Sequence, residues 1–270
     1  MIRIGFAAIA LAAILAPFEV HTFHAAGQVV PMAADADPSF DVATIRPSTP
    51  GDARPPRIQI QNRRWFAINR TVMELITYSH ELHRGQVVNA PGWLEEQFDI
   101  TAQPGGEGQP TPRQWRMMVR KLLVDRFKLS AHVEKRSISV YELTVRGAPR
   151  SLAPAPGDPR RPANLAMRAQ GRFAASNASM GDFAGELGAF LDRPVVDRTG
   201  IQGQYDFTLA WTIDEFQSAR LKAFPLPQRS DTDVPNLFTA LREQLGLQLD
   251  TANAPAEVLV IDRIERPSAN

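Results

Sequence analysis

Hydrophobic and polar residues alternate from Arg57 to Asn69 in "RIQIQNRRWFAIN", the period of a half-buried strand. The polar step Asn69-Arg70-Thr71 then predicts the start of a helix. In "TVMELITYSHEL", Val72, Leu75, Ile76 and Ser79 fall on one face, as in a helix packed on a sheet. "VVNAPGW" and "EQFDITAQ" predict two short strands around a Pro-Gly turn. The clearest helix is "TPRQWRMMVRKLLVDRF", whose apolar side carries Trp115, Met118, Leu122 and the region from Val124 to Phe127. "KLSAHVEKRSISVYELTVRG" is read as a hairpin with an alternating second strand. The C-terminal stretch beginning "LFTALREQLGLQLD" repeats helix, strand, turn and strand, with Gly246 at the helix end.

The pattern occurs twice. At a constant offset of 108, Trp65 falls on Phe173, Asn69 on Asn177, Thr71 on Ser179, Leu75 on Phe183 and Gly92 on Gly200. One residue of slippage brings "FDIT" (Phe98 to Thr101) onto "YDFT" (Tyr205 to Thr208), so Asp99 meets Asp206. Further on the offset becomes 118, placing Phe127 on Leu245, Val140 on Val258 and Leu143 on Ile261. The expected architecture is α+β, a tandem duplication of a strand-helix-strand-strand-helix-strand-strand unit with helices over a small mixed sheet. Pro/Gly-rich breaks fall at residues 47–56, 103–112 and 147–163. They divide the chain into a signal peptide and disordered N-terminus (1–36), a first repeat (37–146), a Pro-rich linker (147–163) and a second repeat (164–270).

Composition narrows the function classes. A hydrophobic content of 44% and a charged content of 22% are those of a folded globular protein. A net charge of +1 excludes a dedicated nucleic-acid binder. The absence of cysteine removes disulfides, thiol nucleophiles and cysteine-ligated metals. The N-terminus "MIRIGFAAIALAAILAPFEV" has Arg3 followed by an apolar run to about Leu15, which is short for a membrane span and fits a secretory signal. Two cleavage regions compete. Ala34 to Ala36 matches small-x-small but lies far from the apolar run, whereas Ala25 and Ala26 are nearer with a poorer residue at −3. The expected location is periplasmic or extracellular, with membrane contact only through a signal segment that is retained.

Several stretches match a known family in order: "FDVATIRPS", "APGWLEEQFDITAQ", "LLVDRFKLSAHVEKRSISVYELTV", "PVVDRTGIQGQYDFTLAW", "LFTALREQLGLQLD" and "VLVIDRIERPSAN". From about Phe40 to Asn270 the chain resembles the soil-associated exported proteins grouped as a domain of unknown function and abundant in Acidobacteria. That resemblance implies export and carries over no catalytic residues. In some relatives a similar domain is attached to membrane metallopeptidases of the beta-lactam-sensor type, which implies a sensing or contact role in the envelope. By analogy of element order alone, each unit also resembles the N-terminal modules of secretins and TonB-dependent receptors, and folds host many functions.

Candidate chemistry is sparse. His80 and His83 in "HELH" have i, i+3 spacing and no third ligand, so no metal or cofactor is expected. Asp197 and Asp206 could form a carboxylate pair for acid–base or glycosidase chemistry, but the favoured reading puts Asp206 and Asp99 on the solvent side of a strand or accepting backbone bonds near a turn. Arg193, Arg198 and Arg263 could meet an anionic polymer or lipid headgroup. Trp93, at the Pro-Gly turn, and Trp211, at a strand end, could stack on a sugar, with core or rim packing the favoured reading for both. The possible binding surface is therefore Trp93, Arg198, Trp211, Asp197 and Asp206. The favoured expectation is a non-enzymatic module contacting an envelope protein or polymer. The alternatives are a secreted glycan or ester hydrolase using second-repeat carboxylates, and a small-ligand sensor binding between the repeats.

Overall fold

The computed structural model describes residues 30–148, 151–156, 158, 161–221, 227 and 234–267. The apolar run of the expected signal, the Ala25–Ala26 region, parts of the expected linker and the last three residues lie outside them. The first half runs β1 (Phe40–Pro47), β2 (Arg57–Gln61), β3 (Arg64–Thr71), α1 (Val72–His80), β4 (Val87–Val88), β5 (Gln97–Pro104), α2 (Pro112–Phe127) and β6 (Ser130–Val145). The second half begins β7 (Ala153–Pro154), β8 (Asn164–Ala169), β9 (Arg172–Ala178), α3 (Met180–Phe190), β10 (Val195–Asp197) and β11 (Tyr205–Ala210). It ends with α4 (Glu215–Leu221), α5 (Leu237–Ala240) continued by a π turn over Leu241–Leu245, and β12 (Leu247–Arg263).

These strands form three four-stranded sheets, ordered β1-β5-β3-β2, β10-β6-β12-β4 and β7-β11-β9-β8. The fold is mixed α and β, as expected, but the element order differs at both ends of each unit. The first expected strand is a hairpin, β2 to β3, turned by Asn62 and Arg63 at φ 49° and 58°. Two consecutive left-handed residues make a tight two-residue turn, here without the glycine that usually marks it. The expected C-terminal hairpins are instead single long strands. β6 and β12 pair antiparallel with each other from Leu247↔Val145 to Arg263↔Ser130. Polar residues such as Lys135 and Arg136 suggest a turn, yet they are exposed side chains of this ribbon. Pro255 is tolerated opposite Ser137 because β4 joins β12 only at Leu259 and Val260, leaving that side of the strand open around the proline.

The ribbon ties the halves together. β4 runs parallel on β12 and β10 runs parallel on β6, so each half places a short strand on the other's long one. The cores interlock in the same way. Leu259 and Ile261 of β12 pack with Trp65, Leu75, Trp115 and Phe127 of the first half. Tyr141 and Leu143 of β6 pack with Phe173, Phe183, Phe207 and Leu241 of the second. Neither half closes its core alone.

Three helices start alike. Thr71, Thr111 and Ser179 each accept a hydrogen bond from the backbone three residues on, and the side chains of Glu74, Gln114 and Asp182 return one. These capping boxes satisfy donors that a helix start otherwise leaves open.

The N-terminal boundary is earlier than expected. Residues 30–36, expected in a disordered leader, are ordered by contacts: Met32 is 6% exposed and its N–H donates to Gln109 O at 2.8 Å. At the other boundary, Ala153–Pro154 of the expected linker is β7, paired on β11.

Candidate binding surface

Asp206 is committed to a backbone device. Asn177 stands at a one-residue bulge of β9 with φ 52°, and its N–H donates to Asp206 Oδ1 at 2.7 Å. The Asn177 side-chain amide donates to Arg161 O. The first half builds the same device. Asn69, at a bulge of β3 with φ 50°, donates its N–H to Asp99 Oδ1 at 2.9 Å and its amide to Arg54 O at 2.6 Å. Asparagine suits both places because its short polar side chain tolerates the left-handed region and bonds locally. The two asparagines are 3% and 7% exposed, so these bonds also satisfy polar groups removed from water.

Asp99 is more heavily engaged. It also receives Ser48 Oγ at 3.2 Å and a guanidinium nitrogen of Arg54, which bridges to Asp52. Partial burial alone raises the Asp99 pKa, but the Asn69 N–H, Arg54 and Ser48 outweigh it and hold the carboxyl below the usual range.

Asp197 shapes its own turn. Its Oδ1 accepts the Thr199 N–H and hydroxyl, both at 2.8 Å, and Thr199 Oγ1 then accepts the Ile201 N–H at 3.1 Å. Among the described residues Asp197 and Asp206 thus have separate local partners, and no contact joins them.

The two tryptophans part company. Trp211 is 2% exposed and packs in the second core, with its Nε1–H donating to Gln217 Oε1 at 2.9 Å. It is a core residue, and the expectation of a stacking surface there is corrected. A strand end looked peripheral in sequence, but α4 closes over it through the buried Gln217. Trp93 is half-buried against the first core, and Arg266 lies over its ring at 5.1 Å while pairing with Glu96. Arg198 is exposed, 3.5 Å from Glu142. Arg263 pairs with Glu265.

The histidines are likewise accounted for locally. His80 Nδ1 lies 3.1 Å from Ile76 O, and burial lowers its pKa. His83 Nδ1 accepts the Gly85 N–H at 2.9 Å, while Nε2 reaches Leu191 O at 3.3 Å across the junction of the halves. Among the described residues no group of three His, Cys, Asp or Glu could hold a metal ion.

A cluster that joins the candidate Arg193 to two aromatic residues lies where β6 meets the second half. The Phe238 ring meets Tyr141 edge-on with centroids 5.6 Å apart, and Arg193 lies over Tyr141 at 5.3 Å. Arg193 is steered by Asp192 Oδ2 at 3.1 Å and Ser139 Oγ at 3.1 Å. Burial, then the Asp192 charge, raises the Tyr141 pKa. Phe238 remains 40% exposed, and Phe216 on α4 is similarly open. A signal was present: Leu237, Ala240, Leu241 and Leu245 define the inward face of that helix, and Phe238 is out of phase with it. The matched positions around the other long strand hold no aromatic residue: Arg120 stands for Phe238, Leu259 of β12 for Tyr141 of β6, and Gly85 for Arg193.

Two concavities lie within single halves. One of about 80 Å³ touches Trp211, Arg172 and Val234, below the size of small-molecule pockets. A wider groove of about 580 Å³ runs between residues 30–41 and the loop 105–108. No helix among the described residues is long and apolar enough to cross a membrane.

Residues 73–264 match the family described as "Protein of unknown function (DUF3738)", and the chain belongs to that family. No curated protein and no solved structure matches it.

Proposed function

We propose that the chain is an exported, non-enzymatic module that contacts a protein or polymer of the bacterial cell envelope through its second half. The observation that carries this reading is the exposed Phe238 beside Tyr141 and Arg193. Aromatic residues and arginine, with polar groups around them, are the composition of interface anchors. The aspartates of the rival hydrolase reading support it by their engagement, Asp206 with a bulge and Asp197 with a turn. For the sensor reading, the two concavities described lie one in each half.

We also infer that the halves are tandem copies. Support comes from the shared strand order around β5 and β11 and from the paired asparagine bulges with capping boxes two residues on. The likeness to secretin and TonB-receptor modules belongs to this proposal as an analogy of the expected element order, from which the β2–β3 hairpin and the long strands β6 and β12 depart.

The test is site-specific photocrosslinking in the native envelope. A crosslinker at Phe238 is expected to capture a discrete envelope component, while one at the exposed Val124 of the first half captures none. Equal capture at both positions, or none at Phe238, sinks the reading. Turnover of a glycoside or ester panel that disappears in Asp197→Asn or Asp206→Asn would favour the hydrolase instead.

A further inference from the structure

Residues 30–37 are built into the folded chain. Val30 O accepts the Gln109 N–H at 2.8 Å, and Met32 N–H donates to Gln109 O at the same distance. Gln114 Nε2 donates to Ala33 O at 2.7 Å, and Lys121 Nζ holds Asp37 through its carbonyl at 2.9 Å and its carboxylate at 2.7 Å. The loop opposite is shaped to receive this segment. Gly108 has φ +82°, and a Cβ there would lie 2.7 Å from Met32 N and 2.8 Å from Met32 Cα. Only glycine allows so close a backbone approach in that conformation.

A signal cut after Ala36 would discard residues 30–36 and every bond they make. It would empty the place of the buried Met32 side chain and put a new α-ammonium group on Asp37, beside Lys121. The small-x-small match at Ala34 to Ala36 is therefore a turn of the mature protein, where Ala36 N–H donates to Ala33 O at 3.1 Å. Between the end of the apolar run and Val30, small residues stand at both −3 and −1 at a single place, Ala25 and Gly27.

We propose that signal cleavage falls between Gly27 and Gln28, so that the mature chain opens with Gln28 and keeps Val30–Ala36 as a structural strap. The proposal rests on the export reading above. Its test is the N-terminal sequence and intact mass of the full chain after expression in a secreting bacterium and fractionation. A periplasmic or secreted protein starting at Gln28 is expected, and Ala25→Leu should block processing while Ala34→Leu leaves it unchanged. A start at Asp37, or at any other residue of an exported chain, overturns the assigned bond while leaving export intact. An uncut chain held in the cytoplasm overturns both. As a second measurement, purified chains beginning at Gln28 and at Asp37 are compared by thermal unfolding. The longer is expected to melt at least about 5 °C higher, and equal midpoints would remove the strap.

Discussion

The two halves of the molecule solve one packing problem twice and then diverge, and the divergence separates scaffold from candidate surface. Asn69 and Asn177 sit at equivalent bulges, each feeding its N–H to an aspartate on the neighbouring strand and its amide to a carbonyl of the preceding loop. A polar group that recurs in both halves with the same partners serves folding. Among the described residues, Phe238 with Tyr141 and Arg193 has no counterpart at the matched positions, and the Met32 strap lies against the first half. Features confined to one half are where a separate role is to be sought.

The largest effects should come from the cores, and they test whether the halves are separate bodies. Trp65 and Phe183 are fully buried, one in each core. Alanine at either place should cost about 3–5 kcal/mol from lost contacts and an incompletely refilled cavity. Because β6 and β12 each deliver side chains to the opposite core, both variants should still unfold in one transition in urea, seen alike by fluorescence and circular dichroism. Two transitions, one unaffected by the substitution, would break the interlocked picture.

Next come the asparagine bulges. Replacing Asn69 or Asn177 with alanine removes a buried hydrogen bond worth about 1 kcal/mol and takes away the local polar contacts by which asparagine tolerates the left-handed region, adding about 1 kcal/mol more. Each alanine variant should lose about 2 kcal/mol, and each glycine variant, which escapes the second penalty, about 1 kcal/mol. Equal losses in the two halves sharpen the comparison. A loss at Asn69 alone would show that its wider network with Arg54 and Asp52 is what matters. Asp99 adds a pH signature. Its folded pKa is depressed, so its stabilisation is complete above the ordinary aspartate value near 3.9 and is lost as pH falls through the folded value. Asp99→Asn should flatten the acid limb of the stability curve, read as the urea midpoint between about pH 5 and pH 2.

The sequence made some of this legible and concealed the rest for physical reasons. Helices α1, α2 and α3 show their apolar period and capping residues within one segment, so local reading finds them. The pairing of β6 with β12 joins residues more than a hundred positions apart, and nothing local distinguishes one long strand from a hairpin. The β2–β3 turn was hidden because Asn62-Arg63 adopts a glycine-like conformation without glycine. At the candidate surface, Asp206 could be read as a backbone acceptor from its match to Asp99, whereas the burial of Trp211 depends on Gln217 from a helix that follows it. Phe238 was visible as an aromatic on the wrong helical face, but its partners Tyr141 and Arg193 come from distant strands and loops.

The smallest expected effect tests the ribbon itself. On its exposed face His132 Nδ1 lies 3.0 Å from Asp262 and Nε2 lies 2.9 Å from Glu134, so the imidazole is bracketed by two carboxylates. Asp262 first, and then Glu134, raise its pKa above the ordinary value of 6.5. A group raised in the folded state contributes fully below its unfolded pKa, and the contribution disappears as pH rises through the folded one. Stability should therefore decline slightly from about pH 6.5 upward, and His132→Gln should remove that slope. Exposure and salt keep the effect small, so 0.5 M sodium chloride should flatten the wild-type slope towards that of the variant. The residue matched to His132 in β12 is Asp250, which faces Glu142 across the ribbon. An unchanged slope in His132→Gln would show that the pH dependence arises away from the ribbon.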